Sequence, residues 1–168
     1  MHYYGDVETE IGKLRVGYGP DGLTMITLAE GSAAAFEKAY SNLCGVRPQP
    51  GKIPERFRQA VQKAAAGKSF EPVPIDLSSV SKFQLKVLKE LQKVPRGEVR
   101  TYSWLARKVG RPLAARAVGN TMARNPVPFL VPCHRVVPSS GGVGNFGFGK
   151  ALKRELLERE GVPAERLE

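Results

Sequence analysis

The sequence predicts an α+β fold on three observations. The N-terminal stretch alternates apolar and polar residues as half-buried strands do. Apolar residues then recur at helical spacing behind capping residues. Near the C-terminus one apolar run, Val127-Pro128-Phe129-Leu130-Val131-Pro132-Cys133-His134-Arg135-Val136-Val137-Pro138, is broken by a Cys-His-Arg triplet.

Taken in order, residues 3–9 form a candidate strand, and residues 11–18 and 23–28 pair as a hairpin across the turn Pro20-Asp21-Gly22. Ser32 caps a helix reaching Tyr40, with Glu37 in its body, and residues 45–52 form a Pro/Gly loop. A second helix over residues 54–66 places Phe57, Ala60, Val61 and Ala64 on one face. Residues 67–79, with Pro72 and Pro74, form a connector carrying one short strand at 73–77. Ser81 and Gln84 make a capping box for a helix whose apolar face is Phe83, Val87, Leu88 and Leu91. After the turn Pro95-Arg96-Gly97-Glu98, Thr101 caps a short helix over residues 102–109 that Gly110 ends. Pro112 suits the first turn of another helix reaching Arg124, which Asn125-Pro126 ends. Helix, glycine turn, helix is helix-turn-helix geometry. A glycine-rich loop over residues 139–149, holding Phe146 and Phe148, precedes a last helix over residues 150–160.

The 168 residues suffice for one domain or two small ones. No apolar run is long enough to cross a bilayer and Met1-His2-Tyr3-Tyr4 shows no signal-peptide pattern. The expectation is a cytoplasmic protein, nuclear in a eukaryote, with no membrane partner. A formal charge of +10 favours a polyanionic partner, with nucleic acid the first candidate. Cys44 and Cys133 could form one disulfide, against which a reducing interior argues. Two Cys and two His at no ligand spacing predict no metal site. Cys44 reads as a small buried hydrophobe.

Chemistry concentrates in the second half. A thiol beside an imidazole and a guanidinium is a candidate nucleophile, because basic neighbours raise the thiolate population. A lone cysteine in an apolar run is also ordinary core, so the triplet alone leaves both open. The second helix of the pair is unusual for a major-groove reader, since Ala114-Ala115-Arg116-Ala117-Val118-Gly119-Asn120 carries one long polar side chain among small ones. Small residues suit either close approach to a minor groove, with Arg116 as a wedge, or close helix–helix packing.

Pro132-Cys133-His134-Arg135-Val136, preceded by Ala115-Arg116-Ala117-Val118-Gly119 and Asn125-Pro126 and followed by the glycine-rich loop, resembles the O6-alkylguanine-DNA alkyltransferase family over residues 83–161. The first half resembles, more weakly, that family's small ribonuclease-H-like domain. The resemblance implies a supporting domain with connector at 1–78 and a mainly helical DNA-binding, alkyl-accepting domain at 79–168. It also implies direct repair of duplex DNA carrying O6-alkylguanine, and less efficiently O4-alkylthymine. The alkyl group moves irreversibly to the protein, once per molecule, with no cofactor. The acting unit is then a monomer, with cooperative binding on DNA left open.

Carried over by position, Cys133 is the nucleophile and acceptor, His134 its base, and Glu160 the carboxylate that orients the imidazole. Asn125 holds the hinge before the cysteine, while Tyr102 helps rotate the nucleotide out and protonates the leaving guanine. Arg116 fills the gap left in the stack. DNA contact extends to Ala114, Ala115, Ala117, Gly119, Thr101 and Arg124, and the base pocket takes Met122, Val136, Phe146, Gly147 and Phe148. Adjacent residues of an extended chain point to opposite sides, so Cys133 and His134 are expected to communicate through a bridging water. Phe146 stands where several members have Tyr, and Phe148 where some keep Gly, which predicts a tighter pocket suited to methyl over benzyl. The ligands of the zinc site found in some larger relatives are missing from this first half. The cysteine that lesion-binding relatives lack is present.

Two rivals stand beside this reading. A helix-turn-helix regulator, or a lesion binder without alkyl transfer, explains the charge and the helices but makes Cys133-His134 accidental. A cysteine hydrolase explains that pair but leaves the helix pair without a role, and His2 is the only other histidine.

Overall fold

The computed structural model describes residues 1–168 and has the α+β architecture expected. Three antiparallel strands, β1 (Tyr3–Thr9), β2 (Gly12–Gly19) and β3 (Gly22–Leu28), are joined by tight turns. Their register aligns Val7 with Leu14 and Leu14 with Leu28, so one face is apolar throughout and packs on α2 (Glu55–Ala65). On the other face Tyr4 meets Phe36 and Tyr40 of α1 (Ala33–Cys44). Gly17 is required there, because a Cβ would collide with the Tyr40 ring.

Three details of the first half differ from expectation. The first helix runs on past Tyr40 to Cys44, since nothing breaks it before Gly45, whose φ of 72° closes it. The Pro/Gly loop contains a two-residue strand, β4 (Gln49–Pro50), parallel to β1 at the sheet edge, where a proline's missing N–H is tolerated. Conversely, the strand expected at 73–77 is a single bridge between Leu23 and Ile75, because Pro72 and Pro74 have no N–H to extend a ladder.

In the second half α3 (Lys82–Leu91) carries the expected capping box, and Thr101 caps α4 (Tyr102–Lys108) by accepting from the Trp104 N–H at 3.0 Å. The next helix, α5 (Ala115–Ala123), begins three residues after Pro112. Arg111 accepts from the Ala114 N–H at 2.9 Å, so Pro112 occupies the second position of a β-turn instead of the first turn of a helix. Cys133–Arg135 form one 3-10 turn where an extended chain was expected. The chain then enters β6 (Val136–Val137), which pairs in parallel with β5 (Arg100–Thr101). The last helix is α6 (Lys150–Arg159). One core of 27 buried residues runs from Val7 through α2, α3 and α5 to Leu156. No helix is long and apolar enough to cross a membrane.

Candidate active site

The Cys133 turn is held from in front by a hinge. The Asn125 amide donates to the Val131 carbonyl at 2.8 Å, and its oxygen accepts from the Val127 N–H at 3.1 Å. The first half reaches the same point: the Ile26 N–H of β3 donates to the Pro126 carbonyl at 2.8 Å. Between hinge and thiol, Phe129 takes a left-handed backbone with φ of 72°. Its ring packs at 4.8 Å on Phe148 and 6.1 Å on Phe146, burial that compensates for the strained conformation. Cys133 is 6% exposed. Burial pushes its thiol up from the ordinary range, while hydrogen bonding with Asn125 and the charge of Lys153 pull it back in part.

Behind the thiol lies a buried ion cluster. His134 Nε2 sits 3.1 Å from Glu160 Oε2, and Arg135 donates to both oxygens of Glu160 at 2.9 Å. Burial works to raise the Glu160 carboxyl, but the hydrogen bonds from His134 and Arg135 prevail and hold it at about 2. An ionised carboxylate only accepts, so His134 carries its proton on Nε2 and keeps a lone pair on Nδ1. That Nδ1 is buried and bonds to no protein atom. Burial, opposed by Glu160, lowers the imidazole from its ordinary value, so it is neutral near pH 7. Successive side chains of a 3-10 turn diverge by about 120°. Cys133 and His134 therefore still point apart, although the backbone differs from the one expected.

In front of the thiol is an open cleft of about 980 Å³. Of the residues expected at the site, Tyr102, Ala115, Arg116, Gly119, Met122, Asn125, Cys133, Phe146, Gly147 and Phe148 line it. His134 and Glu160 lie behind the wall. Val136 is fully buried and away from the cleft, with its N–H on the Cys133 carbonyl. Thr101, Ala114, Ala117 and Arg124 are also outside it. Phe146 and Phe148 stack on one another at 5.4 Å and share the lining of this cleft with Cys133. On α5 the inward residues are Val118, Thr121 and Met122, whereas Ala117 and Ala123 are exposed. Of the small residues, Ala117 and Ala123 form an outer surface, while half-buried Ala115 and Gly119 line the cleft, Gly119 facing the Tyr102 ring of α4. Arg116 is exposed and forms no ion pair.

Several participants escaped the sequence reading. Ile26, Thr27 and Leu28 of β3 form one cleft wall. Arg135 serves as the second cation on Glu160 and also donates to the Val94 carbonyl at 2.8 Å. Lys153 of α6 is 1% exposed, and burial lowers its ammonium to about 8 despite the thiol nearby. A signal existed: Lys153, Leu156, Leu157 and Glu160 share the inward face of α6 at helical spacing. Cys44 is half-buried, and both thiols are free.

The family described as 6-O-methylguanine DNA methyltransferase, DNA binding domain, matches residues 82–162. The methylated-DNA–protein-cysteine methyltransferase of Methanothermobacter thermautotrophicus is 34% identical over 89% of this chain and 80% of the relative. The crystal structure of Mycobacterium tuberculosis OGT in complex with DNA superposes with a TM-score of 0.76 at 34% identity, covering 97% of this chain and 96% of that one. The O6-methylguanine-DNA methyltransferase of Pyrococcus kodakaraensis gives 0.68 at 30% identity, covering 96% and 100%.

Proposed function

The chain belongs to the methylated-DNA–protein-cysteine methyltransferase family, and from that premise we propose that it repairs O6-alkylguanine in duplex DNA by taking the alkyl group, chiefly methyl, onto Cys133. The observation that carries this reading is the position of Cys133, on the wall of a cleft shared with Tyr102 and Arg116, with a neutral imidazole behind it. An alkyl carbon on O6 cannot meet a buried thiol while its base stays stacked, so the nucleotide rotates into the cleft. Arg116 fills the space it leaves. The small residues of α5, with Ala117 exposed and Ala114, Ala115 and Gly119 half-buried, lie along the minor groove, with Thr101 and Arg124 at the flanking helix ends.

The chemistry balances with the protein's own groups. The Cys133 proton passes through a bridging water to Nδ1 of His134, and Glu160 and Arg135 hold the imidazole for that transfer. The sulfur attacks the alkyl carbon; the S–C bond forms as the C–O6 bond breaks, and the electron pair moves into the guanine. Tyr102 supplies a proton to the ring, and the departing base is ordinary guanine. The backbone of Gly147 on the cleft wall reads the base edge, whereas the backbone groups of Cys133 and Val136 are taken by Val131, by each other and by Lys153. Met122, Phe146 and Phe148 enclose the alkyl group, favouring methyl. The thioether is not cleaved again, so each molecule acts once. O4-alkylthymine presents the same alkyl–oxygen bond and is a poorer substrate. Residues 79–168 carry this chemistry and 1–78 support them; the acting unit is a monomer.

Intact-mass measurement after incubation with O6-methylguanine duplex tests the reading. A gain of about 14 Da, for methyl replacing the thiol hydrogen, should appear once per chain and map to the Cys133 peptide. If the mass is unchanged, or the gain persists in Cys133→Ala, the transfer is wrong and a lesion-binding protein without chemistry takes its place.

A further inference from the structure

A fully buried ammonium beside a nucleophile is costly unless it is used, and the mechanism above makes no use of Lys153. Its Nζ donates to the Val136 carbonyl at 2.7 Å and to the Asn145 carbonyl at 3.2 Å. These two carbonyls belong to different segments: Val136 follows the Cys133 turn, and Asn145 opens the stretch that places Phe146 and Gly147 on the cleft wall. The same Nζ lies 5.8 Å from the centre of the Tyr102 ring.

We propose that Lys153 is a positioning residue of the transfer reaction: it fastens the glycine-rich loop to the Cys133 turn and places its positive charge where the thiolate forms. This rests on the reading of Cys133 as the alkyl acceptor. The loop supplies no such tie by itself, since Gly141, Gly142, Gly144 and Gly149 all have positive φ and the loop has no regular structure before α6. One cation reaching two carbonyls replaces the missing ladder. Its electrostatic effect has a direction as well. The Lys153 charge stabilises the Cys133 thiolate, and the thiol in turn favours the charged lysine. The other titratable groups around this point are Tyr102, a phenol raised chiefly by burial, and neutral His134 with the ion pair of Arg135 and Glu160 behind it. Because Arg135 is already neutralised by Glu160, Lys153 is the cation without a counter-ion that acts on the thiol.

The test uses the full chain in a Cys44→Ser background, so that only Cys133 reacts with iodoacetamide. Alkylation rate is followed from pH 5 to 10 for the parent, Lys153→Met and Lys153→Gln, alongside single-turnover transfer from O6-methylguanine duplex; thermal melting identifies the folded variants. Lys153→Met removes charge and donors, while Lys153→Gln keeps a donor and may be used alone if Met does not fold. The thiol titration should move up by about one unit, which is about a tenfold smaller thiolate fraction at a given pH below it, and methyl transfer should slow by at least that factor. A merely structural lysine would leave the titration midpoint in place. A folded variant whose thiol profile and transfer rate match the parent within about twofold overturns the proposal. If the parent itself takes no methyl from DNA, the functional reading fails, and the iodoacetamide profiles still decide the electrostatic role of Lys153.

Discussion

Glu160 receives three donors on two oxygens, from His134 and twice from Arg135, and its side chain is 3% exposed. Glu160→Gln puts an amide N–H where one of those donors now points and leaves the Arg135 charge without its counter-ion. Breaking a buried pair from one side costs on the order of 3–5 kcal/mol, which urea denaturation should show. Loss of the oriented base should slow methyl transfer by about a hundredfold. The folded carboxyl lies at about 2 against an ordinary 4.5, so its contribution is fully present above pH 4.5 and disappears as pH falls toward 2. Glu37 and Glu55 are also lowered by their hydrogen-bond partners, so the difference between parent and Glu160→Gln isolates this one group. Melting curves that stay parallel between pH 4.5 and 2 would contradict the assignment. At this scale the sequence was legible where residues are contiguous, as in Cys133-His134-Arg135. Glu160 was reachable only through family resemblance, because a helix-end acid otherwise reads as solvated. Lys153 was hidden by a helix rich in exposed lysine and arginine, from which only its spacing to Leu156 and Glu160 distinguishes it.

Among the elements that line the cleft, α5 has two faces that separate cleanly. Val118, Thr121 and Met122 face the core, while Arg116, Ala117 and Ala123 face solvent. Leucine at position 117 removes no packed contact, so Ala117→Leu should melt within about 0.5 kcal/mol of the parent. Its bulk should weaken duplex binding if this surface lies in the minor groove; unchanged affinity on an electrophoretic or anisotropy titration would remove the helix from the interface. Arg116→Ala should separate two quantities. If Arg116 takes the place of an extruded base, transfer from duplex should fall by tenfold or more, while affinity for undamaged duplex, summed over many cationic contacts, should fall only slightly. An equal fall in both would make Arg116 a simple phosphate contact. Helix starts with a side-chain cap were readable at Ser32, Ser81 and Thr101, since each cap is a local hydrogen bond between near neighbours. The start of α5 was not, because proline favours both the first helical position and the second position of a β-turn, and only the Ala114-to-Arg111 bond distinguishes them. Strands of two residues, such as β4 and β6, carry no period to read.

Across the whole molecule, the division of labour between residues 1–78 and 79–168 does not correspond to two separate cores. Buried side chains from β1, β2, β3 and α2 join those of α3, α4, α5 and α6 in one cluster, and β3 both lines the cleft and bonds the hinge at Pro126. A backbone bond between such distant positions has no sequence signature, which is why the first half read as support alone. The physical consequence is coupling: loss of the sheet opens the shared core and frees the Pro126 end of the hinge before Cys133. Trp104, the single tryptophan, reports on the second half through its fluorescence. Cys44 at the end of α1 reports on the first through its reactivity, measured in a Cys133→Ser background. Followed through urea, the two probes should share one midpoint to within about 0.3 M, as expected for a single cooperative transition. Two separated midpoints would mean that the halves unfold independently. The shared core would then be a docking surface between domains, and β3 could leave the cleft without unfolding α5.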